Sequence, residues 1–374
     1  MTPSEESWLA LRMVRQVGNR TLSALVETFG SAEAVLEQSA ESLMHRGGIS
    51  QALADRILSA RENQALTREI QAVRDAGAGV LTLAHPQYPP CLREIPQAAP
   101  LIYYQGKWPG AGGPRLAIVG TRSPSRYGEK VVRQVVEALA VRHPDAVVIS
   151  GLARGIDTAA HTAALETGLE TIAVLGSGLG RIYPAENQAL AGRIAGQGVL
   201  FSEFFMHQAP SGRNFPIRNR MISGLTGVLL VVEAGGRSGA LITASFALNH
   251  QKPVLAVPGN IDQPGSEGTN RLIQSGQAHI VTGPRDVLHA LELLENPQAE
   301  QLDMLQPRVE RPSPKAALEG AQGAVMQCLG TGPLHPDDIS VQAGIPMEKL
   351  IALLLELELS GEIVQTTENQ YALA

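Results

Sequence analysis

Six short β-branched runs lie between Arg115 and Arg285: Leu116 to Val119, Ala146 to Ile149, Thr171 to Leu175, Val199 to Phe201, Val228 to Val232 and Pro253 to Val257. Helix-patterned stretches separate them. A run that is apolar on both faces suits a parallel strand covered by helices above and below. The expected fold class is therefore α/β, with an extended Rossmann-like parallel sheet as its core. Each run stops abruptly, in turn at Gly120-Thr121-Arg122, Ser150-Gly151, Gly176-Ser177-Gly178, Ser202-Glu203, Glu233-Ala234-Gly235-Gly236 and Pro258-Gly259-Asn260. In an open sheet of this kind the carboxyl ends of the strands form the crevice where ligands bind. Arginines and bare backbone dominate the polar chemistry there, which points to a phosphate-bearing ligand.

A chain of 374 residues is too long for one core and divides into two or three domains. Its two cysteines, Cys91 and Cys328, lie in distant segments, which argues against both a disulfide framework and a zinc site. The start of the chain is acidic and lacks an apolar signal core, and no eighteen apolar residues run together, so a cytoplasmic protein with no membrane partner is expected. The net charge of −6 hides an uneven distribution. Arg115 to Arg285 carries 16 Lys/Arg against 11 Asp/Glu, a balance of +5, whereas the tail from Glu319 carries one lysine against eight acids, a balance of −7. The middle suits a polyanion; the tail repels one.

Residues 1–75 read as short helices with glycine turns, at Val17-Gly18-Asn19-Arg20 and Gly47-Gly48-Ile49-Ser50, in the manner of helix-hairpin-helix or sterile-alpha-motif modules. The hairpin glycines are incomplete, so a small helical packing domain is the better expectation than direct DNA contact. Residues 76–295 form the core, and within it Leu101-Ile102-Tyr103-Tyr104 is expected to add an edge strand. Residues 296–317, rich in proline, read as a linker. Residues 318–374 show three helices, at Ala321 to Leu329, Pro336 to Gln342 and Met347 to Leu359, and a hairpin, a winged-helix pattern. The third helix offers Glu348, Lys349, Glu356 and Glu358, poor chemistry for reading a DNA groove, and protein contact is the better expectation.

Within the core, Gly120, Thr121 and Arg122 join a strand end to a helix start, an arrangement shared by phosphate sites and ordinary turns; no Gly-Lys-Ser/Thr follows, so it is not a P-loop. Gly151, Arg154 and Gly155 precede Asp157, which is placed to cap the next helix or to pair with Arg154. Asp157 and His161, one turn apart, suit a structural hydrogen bond better than a catalytic dyad, because no nucleophile accompanies them. In Gly176 to Pro184 the last position of a GxGxxG pattern falls on Arg181, which argues against a dinucleotide cofactor. Arg213, Phe215, Arg218, Asn219 and Arg220 combine guanidinium groups, a ring and an amide, a mixture suited to holding single strands, with two of the three arginines expected to face the ligand. Arg237, Ser238 and Gly239 open another helix as an anion site. The acids are scattered singly, with no metal set and no catalytic constellation.

Taken in order, Gly120-Thr121-Arg122, the Ser150-Gly151 to His161 run, Phe215-Pro216-Ile217-Arg218-Asn219-Arg220 and Ser238-Gly239-Ala240-Leu241-Ile242-Thr243 resemble the DNA-processing protein A (DprA/Smf) family across the whole core. The helical start and winged tail look like that family's accessory domains. The resemblance implies a non-enzymatic protein that binds single-stranded DNA, forms a homodimer, works beside single-strand-binding protein and loads RecA recombinase during natural transformation. It implies no cofactor. It places Arg122 and the Gly120 turn on backbone phosphate, Phe215, Arg218, Asn219 and Arg220 around a nucleotide, and Arg237, Ser238 and Gly239 on a neighbouring phosphate. Many relatives have lysine where this chain has Arg237, which preserves charge and alters geometry. The chief alternative is a nucleotide-binding phosphoribohydrolase on the same core, with Glu233 in its acid role, although that group's Gly-Gly-Xaa-Gly-Thr-Xaa-Xaa-Glu run is missing. A winged-helix repressor with a preference for duplex DNA is a third class.

Overall fold

A computed structural model of the chain describes residues 1–96, 98–108, 112–295, 314–330, 332–347, 350, 353–354, 357–358, 362–366 and 370–373. The described chain falls into two units, Met1–Pro297 and Gln298–Ala374. In the first, all six β-branched runs are parallel strands: β3 (Arg115–Val119), β4 (Val147–Ser150), β5 (Glu170–Val174), β6 (Val199–Ser202), β7 (Val228–Val231) and β8 (Val254–Ala256). Two strands from the connecting region, β1 (Gly79–Thr82) and β2 (Leu101–Gly106), and the short β9 (His279–Ile280) complete a sheet ordered β1-β2-β6-β5-β4-β3-β7-β8-β9. The expected edge strand at Leu101 to Tyr104 lies inside the sheet. It pairs antiparallel with β6 on one side and β1 on the other, so β1 takes the edge.

Alternation along the strands builds two separate cores. Leu116, Ile118 and Val148 pack beneath α8 (Arg126–Arg142) and α9 (Ile156–Thr167), while Ala117, Val119, Val147 and Ile149 face α11 (Asn214–Leu225) and α12 (Gly239–Asn249). A third core joins the N-terminal helices to the β2–β6 end of the sheet: Trp8, Leu11, Leu22, Leu43 and Ile57 cluster with Tyr103, Ala173, Leu200 and Met206. Residues 1–75 thus share a core with the sheet and do not pack on their own. Buried Glu69, in α6 (Gln64–Asp75), reinforces the seam by accepting the backbone N–H of Met206 at 2.7 Å.

The second unit holds α15 (Pro314–Leu329), α16 (Pro336–Ala343) and an antiparallel wing of β10 (Ile363–Gln365) and β11 (Tyr371–Leu373) around Val325, Leu329, Ile339, Leu350, Leu353, Leu354 and Leu357. Positions 314–317, expected as linker, are helical. Most of the expected linker, 296–313, lies outside the described residues, as do Glu348, Lys349 and Glu356. Among the described residues no helix is long and apolar enough to cross a membrane.

Candidate functional site

The sheet order reverses between β3 and β7. The chain crosses from β3 through β4 and β5 to β6 on one side, then returns past β3 to lay down β7 and β8 on the other. In an open α/β sheet the ligand crevice lies at the carboxyl ends of such a pair. A cavity of about 650 Å³ opens there, lined by Gly120, Thr121 and Arg122 from the turn after β3, Phe215, Arg218 and Asn219 from α11, and Arg237, Ser238 and Gly239 at the start of α12. Gly151 and Arg154 border a small adjoining depression with Arg122 and Phe215, and Gly155 borders a third hollow, also with Arg122. Arg122 is the predicted residue common to all three. It is exposed, makes no ion pair among the described residues, and sits over the Phe215 ring with its guanidinium carbon 5.4 Å from the centroid. Phe215 is half-buried, with Tyr183 tilted against it at 5.9 Å between centroids.

Arg218 belongs to the crevice floor. It is 4% exposed; its guanidinium donates to the carbonyls of Gly151 (2.5 Å) and Val174, and its Nε donates to Asn219 Oδ1 at 3.0 Å. One side chain on α11 therefore ties together the ends of β4 and β5. Burial pushes its pKa down to about 10, against the opposing pull of the nearby Asp157 carboxylate. Asp157 is buried too. It accepts the backbone N–H groups of Gly151 (3.1 Å) and Ala153 (3.3 Å), so it caps its own loop and does not pair with Arg154. Burial raises its pKa, and Arg218 and these hydrogen bonds lower it.

Arg154 instead forms a two-pronged ion pair with Glu186, Nε to Oε1 at 2.5 Å and Nη2 to Oε2 at 2.9 Å, both partners exposed. His161 does not bond Asp157. Its Nδ1 lies 2.7 Å from Thr171 Oγ1, and that hydroxyl already donates to the Val148 carbonyl at 2.8 Å. Thr171 can then only accept, so Nδ1 carries the proton, and Nε2 has no partner among the described residues. Burial, with the Arg218 charge second, lowers the His161 pKa to about 3 and holds the ring neutral.

Two expectations about the arginines change. Arg220 is buried away from the crevice in an ion pair with Glu203, since α11 turns it toward the opposite side of the helix from Arg218. Of Arg213, Arg218 and Arg220, Arg213 alone is exposed, where two were expected to face the ligand. The glycines also serve packing first. A Cβ on Gly151 would collide with the Arg218 guanidinium, and Gly155, at φ 75°, would collide with the Thr121 carbonyl. Neither can carry a side chain whether or not a ligand is near.

The helices that start at the crevice differ in charge. The turn into α8 is held by Glu233, which accepts the backbone N–H of Ser125 at 2.9 Å and the Ser125 hydroxyl. The start of α9 holds Asp157. Helix α12 has no acid in its first turn, and Ser238 caps only Ala240 N–H, at 3.3 Å. Of α8, α9 and α12, it is α12, beside Arg237, whose positive end is left for an external anion. Asn219 reaches the same place, donating to the Gly239 carbonyl at 3.4 Å, so its amide is engaged by protein on both sides. Sequence reasoning gave no role to Tyr183 or to Glu267, which lines the crevice wall; neither sits in a pattern that separates it from an ordinary loop residue.

Fold and crevice define a doubly wound α/β protein with exposed guanidinium groups and backbone amides at the carboxyl edge of its sheet. The model of the DNA recombination-mediator protein A family matches residues 79–292, that of the DprA winged helix domain 309–369, and that of the SAM-like helix-hairpin-helix tandem 9–63. The chain belongs to the DprA/Smf family of DNA-processing proteins. It is 31% identical to the protein Smf of Synechocystis over 99% of both chains. Among solved structures it resembles DNA processing protein A of Streptococcus pneumoniae, with TM-score 0.65 and 33% identity over 77% of this chain and 98% of that one. It also resembles the Helicobacter pylori protein, described for its single-stranded DNA binding mode, with TM-score 0.51 and 28% identity over 57% of this chain and 95% of that one.

Proposed function

We propose that the chain grips single-stranded DNA in the β3–β7 crevice without cutting it and hands the strand to RecA recombinase. The observation that carries this reading is Arg122, a free guanidinium over an aromatic ring at the meeting point of three hollows, facing Arg237 and the bare start of α12. Phosphate contacts of this kind with one ring for a base suit sequence-tolerant single-strand binding. The Helicobacter relative's described ligand is of the same class. We assign DNA contact to Gly120, Thr121, Arg122, Phe215, Arg237, Ser238 and Gly239, and a positioning role to Arg218 and Asn219. A homodimer working beside single-strand-binding protein completes the proposal. Against the hydrolase alternative, Glu233 already serves Ser125 through both carboxylate oxygens and has no lone role to play on a substrate.

Fluorescence anisotropy with labelled oligo-dT and a matched duplex tests the binding claim: tighter, salt-sensitive binding of the single strand is expected. Duplex preference that disappears on deleting residues after 318 would transfer the function to the winged tail. Release of free base from nucleoside monophosphates would restore the hydrolase. RecA filament formation on DNA coated with single-strand-binding protein, with and without the chain, tests delivery.

A further inference from the structure

We infer a second stretch of nucleic-acid contact on the outer face of α8, formed by Arg126, Lys130 and Arg133; it rests on the crevice reading above. These three lie at positions i, i+4 and i+7, so they share one helix face. All three are exposed, and none has an ion-pair partner among the described residues. The stripe begins where the crevice ends, because α8 starts four residues after Arg122. Between α8 and α9 runs a hollow of about 410 Å³ whose lining includes both Arg122, at the crevice, and Arg133, at the far end of the stripe. Glu129 of α8 and Glu166 of α9 also line that hollow, and Glu137 closes the stripe one turn beyond Arg133. The cations therefore occupy a bounded segment of helix.

Helix physics gives a second argument. Arg126 stands at the first position of α8, where the macrodipole disfavours positive charge, and Lys130 follows in the second turn. Glu233 and Glu129 hold the helix start itself, and the exposed cations in line along the flank supply positive field to a passing phosphate backbone. From Arg126 to Arg133 the axis rises roughly 10 Å, about three nucleotides at the per-strand spacing of stacked DNA. A strand leaving the crevice past Arg122 would thus meet three further cations in line.

The test uses the full chain with Arg126→Gln, Lys130→Gln and Arg133→Gln combined. Its binding is compared with wild type on oligo-dT of about six nucleotides, enough for the crevice, and of about thirty, enough to leave it. We expect the short oligomer to bind both proteins alike. On the long one the variant should show a salt slope shallower by about 2, so that from 50 to 200 mM salt the wild type loses roughly twentyfold more affinity than the variant does. An unchanged slope on the long strand overturns the stripe. Equal weakening on both lengths also overturns it, since that marks a general field effect and not a path. If the wild type binds neither length, the crevice reading itself fails, and the stripe with it. Matching melting temperatures confirm that the variant is folded, as expected for three exposed side chains.

Discussion

Replacing Arg218 by alanine separates a ligand contact from a keystone. The guanidinium is almost fully buried and satisfies the carbonyls of Gly151 and Val174 and the amide oxygen of Asn219, with the buried Asp157 carboxylate nearby. Removing it leaves those acceptors dry and the carboxylate without its counter-charge. Deleting the charge near a buried carboxylate costs at most what a broken buried ion pair does, about 3–5 kcal/mol, and an unsatisfied buried acceptor costs about 1–3 kcal/mol. These overlap and are not summed; about 4 kcal/mol is the working figure, a fall in melting temperature on the order of 10 °C. The assay is thermal or urea unfolding followed by tryptophan fluorescence, with oligo-dT anisotropy on the same sample well below the transition. Lost affinity should accompany lost stability. If instead the variant melts with wild type while its salt slope on oligo-dT falls by about 0.7, Arg218 touches DNA directly and the positioning role is wrong.

Arg122→Ala should do the reverse: melting within a degree or so of wild type, weaker oligo-dT binding and a slope shallower by about 0.7, because its partner in the protein is one exposed ring face. Phe215→Ala should cost roughly 1–3 kcal/mol of single-strand affinity, read by anisotropy; a large fall in stability with unchanged affinity would mark the ring as packing only. His161 should sharpen acid sensitivity. Its folded pKa, about 3, lies below the unfolded value near 6.5, so its stability contribution is full above pH 6.5 and is lost as pH falls toward 3. Between pH 6.5 and 5 this group alone removes about 2 kcal/mol. Urea midpoints at pH 7.5 and 5 should therefore differ less in His161→Gln than in wild type, and an equal difference refutes the assignment.

The sheet could be read in the chain because both-face burial leaves a plain mark: six apolar runs became six parallel strands, and the turns after them met at one edge. The place of β2 could not, because antiparallel partners on both sides leave the same short apolar run that an edge strand shows. The site divides along a similar line. Arginine, glycine and amide residues signal phosphate binding because they offer donors and close backbone approach, and a chain's own carbonyls accept the same donors. Arg218 and Arg122 are therefore equivalent in a sequence. Only the helix phase of α11 and the gap left by Gly151 turn one of them inward to hold the loops, while the other stays free above Phe215. That division is a functional requirement as much as an ambiguity. A rim of bare amides binds an anion well only if its loops are already fixed before the ligand arrives, and inward guanidinium and carboxylate groups supply that order from within. On the proposed reading, the buried half of the motif does its part without meeting DNA.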